Sequence, residues 1–220
     1  MLALHRSRRD LLKYAAAGFA LAATPFLGLT SALAQNARVD VEQLMADEAL
    51  PDVVEGQANA PITMVEYASM TCTHCAAFHT KVYPTLKSKY IDTGKVKYIL
   101  REFPLDPLAT AGFMVARCSG DKREAMIDLL FTQQKNWAFV DKPLDGLANL
   151  VKQTGMSQES FEKCLKDQAL YDKVNMVRDR GAEKFNVNAT PTFFINGKRV
   201  SGEMTVEQLD KEITPLLSKG

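Results

Sequence analysis

Segments able to form strands lie toward the two ends of this chain, and everything between them has helical spacing. Ile62-Thr63-Met64-Val65-Glu66-Tyr67, bounded by Pro61 and the Ala68-Ser69 pair, reads as a short buried strand. Val96 to Phe103 reads as a second, ending at Pro104. From Pro107 to about Phe185 the pattern is helical throughout. Strand patterns return only at Thr192-Phe193-Phe194-Ile195 and Lys198-Arg199-Val200, which flank Asn196-Gly197, the strongest short hairpin signal. Strands from both ends have to share one sheet, so the helical block must sit beside it as a lid or cap. The predicted class is α/β: one sheet with an inserted all-helical subdomain. The divisions are an N-terminal segment at 35–60, a sheet domain at 61–106 and 186–220, and a helical insert at 107–185.

Local signals fill in this frame. Phe78, Val82, Leu86 and Tyr90 form one stripe of a helix, and Pro84 inside it predicts a kink because it removes a backbone donor. Asp92-Thr93-Gly94 is a turn. Leu147, Leu150 and Val151 follow helical spacing up to a stop at Gly155. Ser157 can cap a helix carrying Phe161, Cys164 and Leu165 on one stripe. Thr205-Val206-Glu207-Gln208 matches a capping box that opens a last helix, with Val206, Leu209 and Ile213 facing inward. Trp137, Met114 and Met126 read as core of the insert.

The first 34 residues differ from the rest. Arg6, Arg8, Arg9 and Lys13 are followed by an apolar run from Tyr14 to about Leu29, interrupted by Pro25, and then by Ala32-Leu33-Ala34, a signal-peptidase pattern. Ser7-Arg8-Arg9-Asp10-Leu11-Leu12-Lys13 resembles a twin-arginine export signal. A membrane anchor and the general secretory route are the alternatives. Cleavage after Ala34 removes four basic residues and one aspartate, taking the net charge from +1 to −2. Neither value suggests a nucleic-acid partner. The expected destination is the periplasm or a similar oxidising compartment, where disulfides persist.

All four cysteines lie beyond this leader: Cys72, Cys75, Cys118 and Cys164. Three pairings are possible, and the spacing of Cys72 and Cys75 favours pairing those two, leaving Cys118 with Cys164. A disulfide across so short a loop restricts little of the unfolded chain, so the first pair is a poor staple. A helix starting at Cys72 instead puts that sulfur at free backbone N–H groups and the positive end of the helix dipole. Both favour thiolate, and His74 adds to the effect if protonated. Each unit of lowered pKa favours the ionised, reduced form by roughly 1.4 kcal/mol, which makes the disulfide more oxidising. Cys72 is then the sulfur that is attacked, and Cys75, one turn deeper, resolves the mixed disulfide. A metal clamp from Cys72, Cys75, His74 and His79 is the rival, but structural zinc normally draws ligands from a second distant pair. No metal and no cofactor is therefore expected.

Cys72-Thr73-His74-Cys75 after a strand, with Thr190-Pro191-Thr192 just before a later strand, resembles the thioredoxin superfamily. The helical insert, the aromatic strand before the cysteines and the run "YIDTGKVKYILREFPLD" make the chain similar to the DsbA-like disulfide oxidoreductases of the bacterial periplasm. The resemblance implies a thioredoxin-like sheet and a cis-proline loop, Thr190 and Pro191, that faces Cys72 and holds an incoming peptide. It implies that Glu66, six residues before Cys72, is buried under the cysteines and takes a proton from Cys75. The residues alone leave open that Glu66 faces solvent. His79 is expected to be an exposed helix residue.

The implied activity is donation of the Cys72–Cys75 disulfide to newly exported proteins with reduced cysteines. A DsbB-like, quinone-linked membrane oxidase is the implied partner, and a monomer the implied state. A disulfide isomerase or reductase is the alternative enzyme, though only a short segment precedes the first strand, with a possible oligomerising helix at 41–49. A copper- or zinc-binding thiol protein is the alternative from another class. Cys118–Cys164 is expected to be a structural bridge within the insert.

Overall fold

A computed structural model describes residues 38–218. The proposed leader, residues 1–34, lies outside the described residues. The sheet has five strands in the order β1-β3-β2-β4-β5, with β1 Val54–Glu55, β2 Ile62–Ala68, β3 Val96–Glu102, β4 Thr192–Ile195 and β5 Lys198–Ser201. Only β2 and β3 run parallel. A parallel pair needs a crossover connection. Here it consists of α2 Thr73–Lys81, α3 Tyr83–Leu86 and a π-helical turn Lys87–Ile91. Every residue of β2 is buried, as expected for a central strand covered on both faces.

The stripe Phe78, Val82, Leu86 and Tyr90 is buried, but not on one continuous helix. The chain breaks at Val82 and restarts with Pro84 in the first turn of α3, where a missing N–H is tolerated. The hairpin turn places Asn196 at φ 45° and Gly197 at φ 80°. Both positive values suit the tight turn that matches strand twist. The Asn196 side chain also accepts the Thr63 N–H at 2.8 Å, tying the hairpin to the start of β2.

Between β3 and β4 lie six α-helices: α4 Pro107–Cys118, α5 Arg123–Thr132, α6 Gln134–Trp137, α7 Pro143–Lys152, α8 Gln158–Leu165 and α9 Gln168–Phe185. Ser157 caps α8 through its hydroxyl, and Gly155 follows α7 at φ 93°. Trp137, Met114 and Met126 are buried. Cys118 and Cys164 form a disulfide joining the ends of α4 and α8 across 46 residues. The last helix, α10 Val206–Leu217, has the Thr205–Gln208 capping box. It buries Leu209 and Ile213, while Val206 stays partly exposed.

Buried charges fasten the helical block to the sheet. Glu102 at the end of β3 accepts from Arg117 of α4 at 2.7 Å and Arg123 of α5 at 3.0 Å. Burial pushes its carboxyl up, but the two guanidiniums outweigh burial and hold it below the usual carboxylate range. Arg101, also buried, pairs with Asp52 at 2.7 Å and Glu48 at 2.9 Å and so anchors the N-terminal segment. Within that segment α1 spans only Val41–Leu44. The two-residue β1 escapes sequence reading because a strand that short has no periodicity.

Candidate active site

Strand β2 delivers the chain to the cysteine turn, and Cys72 is the N-cap of α2, with extended backbone at φ −80°, ψ 119°. Its sulfur accepts the Cys75 N–H at 3.4 Å, so an orphan donor of the first turn ends on sulfur. On the other side stands the loop before β4, where the Thr190-Pro191 peptide is cis. The Thr190 carbonyl accepts from the Cys72 thiol at 3.3 Å. The two halves of the chain thus meet at one sulfur.

The Cys72 thiol is pulled down to about 6. The largest cause is the Cys75 thiol, which donates to the Cys72 sulfur; burial opposes it. The Thr190 side chain and the backbone N–H groups of Cys75 and His74 lower it further. The Thr190 hydroxyl itself is buried with no hydrogen-bond partner among the described residues, so the geometric contact to Cys72 is through the Thr190 carbonyl. Cys75 is fully buried, and burial pushes its thiol well up, with the Cys72 sulfur and Glu66 acting in the same sense. One sulfur is therefore ionised at neutral pH and the other holds its proton.

The His74 ring makes no hydrogen bond to the sulfur among the described residues. It is exposed and stands 3.5 Å from Glu203, so His74 acts on Cys72 through its backbone N–H. Glu66 is fully buried, not solvent-facing. Its Oε2 accepts from the Tyr98 hydroxyl and pairs with His79 Nε2 at 3.2 Å, while Oε1 has no partner among the described residues.

His79 corrects an expectation: it is 6% exposed rather than a surface residue. It follows Cys75 by one helical turn, so it shares the inward face of α2. Its ring stacks on Phe131 of α5 at 4.2 Å and on Tyr83 at 5.1 Å. The i+4 spacing from a buried cysteine was the available signal.

Sequence reasoning also missed Gln134 of α6. Its buried amide donates to the carbonyls of Met70 at 2.9 Å and Cys72 at 3.0 Å. Thr71 donates to Asp106, the N-cap of α4, at 2.6 Å. The helical block thus holds the backbone that leads into the reactive turn. No group of three or more metal-ligating side chains occurs among the described residues.

Residues 48–214 match the family model described as thioredoxin. The crystal structure of α-DsbA1 from Wolbachia pipientis is similar at a TM-score of 0.73 and 30% identity, covering 82% of this chain and 99% of that one. The chain belongs to the DsbA-like thioredoxin superfamily. A candidate protein-disulfide oxidoreductase of Rickettsia bellii is 37% identical over 152 residues, 66% of this chain. This chain spans 57% of that relative and 61% of its counterpart from Rickettsia conorii. BdbD from Bacillus subtilis shares the DsbA-like fold at a TM-score of 0.65 and 21% identity.

Proposed function

We propose that the chain is a protein-disulfide oxidoreductase that donates the Cys72–Cys75 disulfide to newly exported proteins in the periplasm. The observation that carries this reading is the Cys72 sulfur at the cap of α2, with its thiol drawn down to about 6. A substrate thiolate attacks Cys72, the Cys72–Cys75 bond breaks, and its electron pair passes to Cys75. That sulfur takes a proton, since burial strongly disfavours its anion. A second substrate thiolate then attacks the substrate sulfur of the mixed disulfide. Cys72 leaves as a thiolate, a good leaving group because its proton affinity is low. The substrate gains a disulfide and the enzyme holds the two electrons.

Thr190 and Pro191 line the approach to Cys72. The substrate class is unfolded protein with reduced cysteines. Reoxidation calls for a DsbB-like, quinone-linked membrane partner, and a monomer is sufficient for the chemistry. The chain's similarity to α-DsbA1 and to the Rickettsia oxidoreductases supports this reading. The basic-then-apolar start of the sequence supports export.

Cysteine replacement tests the assignment. Cys72→Ser is expected to abolish oxidation of a reduced unfolded protein. Cys75→Ser is expected to accumulate substrate disulfide-bonded to Cys72, visible on non-reducing gels and by mass spectrometry. Trapping by Cys72→Ser, and none by Cys75→Ser, would invert the roles.

A further inference from the structure

Reduction of the pair leaves a proton to be delivered to a sulfur with no exposed surface. Cys75 is 0% exposed, and Glu66 beside it is equally buried. A proton that reaches Cys75 by way of Glu66 has to be replaced from elsewhere. The groups around it narrow the choice. Tyr98 is buried on β3, and burial together with Glu66 drives its hydroxyl far above the usual range, so it does not give up its proton. The remaining partner of Glu66 Oε2 is His79 Nε2, at 3.2 Å. The opposite nitrogen of the same ring, Nδ1, is buried and without a hydrogen-bond partner among the described residues. It lies 4.0 Å from Asp128 Oδ1 on α5, and the Asp128 side chain is 45% exposed. His79 thus stands with one nitrogen on buried Glu66 and the other toward half-exposed Asp128.

We propose that His79 is the proton port of the active site, passing one proton between Asp128 at the surface and Glu66 beneath Cys75. It touches neither sulfur and acts through Glu66. The inference rests on the disulfide-donating reading above. As the disulfide is reduced, Glu66 gives its Oε1 proton to the leaving Cys75 sulfur. His79 Nε2–H recharges Glu66 at Oε2, and Nδ1 takes a proton from the Asp128 side. Cys75 gains one proton, solvent loses one, and the carboxyl and the imidazole each keep their charge with the proton moved to the other atom. Reoxidation runs the same path backward and restores both groups, so no ring flip is needed. A ring clamped between Phe131 and Tyr83 suits a relay of that kind.

Other charges facing the ring are few. Tyr83 of α3, stacked on it, donates to Glu55 of β1. Burial, more than any other cause, lifts Glu55 to about 8. Glu124 of α5 lies toward the same side and pairs with Lys87 at 3.5 Å. Burial, with Glu124 adding to it, raises the Asp128 carboxyl, while His79 and Lys87 act against the rise. An acid that holds its proton more firmly than usual, at the half-exposed end of the path, suits proton exchange with solvent.

The test is the rate at which dithiothreitol reduces the oxidised protein, followed by stopped flow across pH in H₂O and D₂O. His79→Gln keeps a hydrogen bond to Glu66 but cannot pass a proton through. It is expected to slow reduction at neutral pH by about tenfold or more. The Cys72 titration near 6 should stay where it is. Asp128→Asn, at a half-exposed site and so tolerant of change, is expected to slow reduction in the same pH range. In His79→Ala, added imidazole should restore the rate and 1-methylimidazole, which cannot carry a proton on both nitrogens, should not. Wild-type rates in both His79→Gln and Asp128→Asn would overturn the relay. Equal rescue by the two imidazoles would overturn it too, leaving His79 as packing. If the wild-type protein itself fails to exchange with dithiols, the disulfide-donating reading fails instead.

Discussion

Cys72 and Cys75 sit on one turn of the same helix, yet one sulfur readily ionises and the other does not. The Cys75 thiol donating to the Cys72 sulfur is the largest cause, and the cap position adds backbone donors, while Cys75 is itself buried one turn in. A residue's backbone can matter more here than its side chain. His74 reaches Cys72 through its N–H while its ring is turned to Glu203. His74→Ala keeps that N–H, so the thiolate absorbance titration of Cys72 should stay near 6. A clear rise would restore the ring as a direct stabiliser of the thiolate. The two cysteines and the Thr190-Pro191 loop were legible in the sequence because their spacing and residue types carry chemistry. Gln134 was not, since a lone glutamine on a helix gives no sign of which way it faces, and the inward turn of His79 showed only in its spacing from Cys75.

Among the elements, strands β2 to β5 were read within a residue or two, because continuous apolar runs between prolines and glycines have few other uses. The crossover from α2 to β3 was read less well. Helical spacing continues past Pro84, but the backbone breaks just before it, at Val82, and goes on as α3 and a π-helical turn. Periodicity reports the buried face and not the continuity of hydrogen bonding. The placement of α9 against the sheet depends on a feature with no sequence signature, the close approach of Gly181 to Tyr67. A Cβ at Gly181 would come within 2.7 Å of the Tyr67 ring, which is itself fully buried. Gly181→Ala is therefore expected to destabilise the fold by roughly 1–3 kcal/mol despite its better helix propensity. Thermal unfolding checks this, and an unchanged or higher Tm would mean that α9 slides away without strain.

In the whole molecule, buried charges hold the helical block to the sheet, and a disulfide ties two of the block's own helices together. The Glu102–Arg117–Arg123 cluster works in the native state. The Cys118–Cys164 bridge also restricts the unfolded chain, across a loop of 46 residues. Replacing both cysteines with alanine should lower stability by about 4 kcal/mol on the loop-closure account. Urea unfolding measures it, and a loss near zero would mean that the unfolded chain is already compact there. The central claim is that folding favours the reduced active pair because it favours the Cys72 thiolate. A thiol whose pKa is lower in the folded state stabilises that state above the unfolded pKa of about 8.5, and the benefit disappears as pH falls through the folded value. Cys75, held protonated by burial, acts the other way only where unfolded thiols ionise. The direct measurement compares the Tm of the dithiol and disulfide forms of the Cys72–Cys75 pair, with Cys118–Cys164 intact in both, from pH 5 to pH 8 in roughly half-unit steps. The account predicts that the dithiol form melts higher at pH 7.5 and that its lead shrinks as pH falls through about 6. A disulfide form that melts higher at pH 7.5, or a difference that ignores pH, would contradict it.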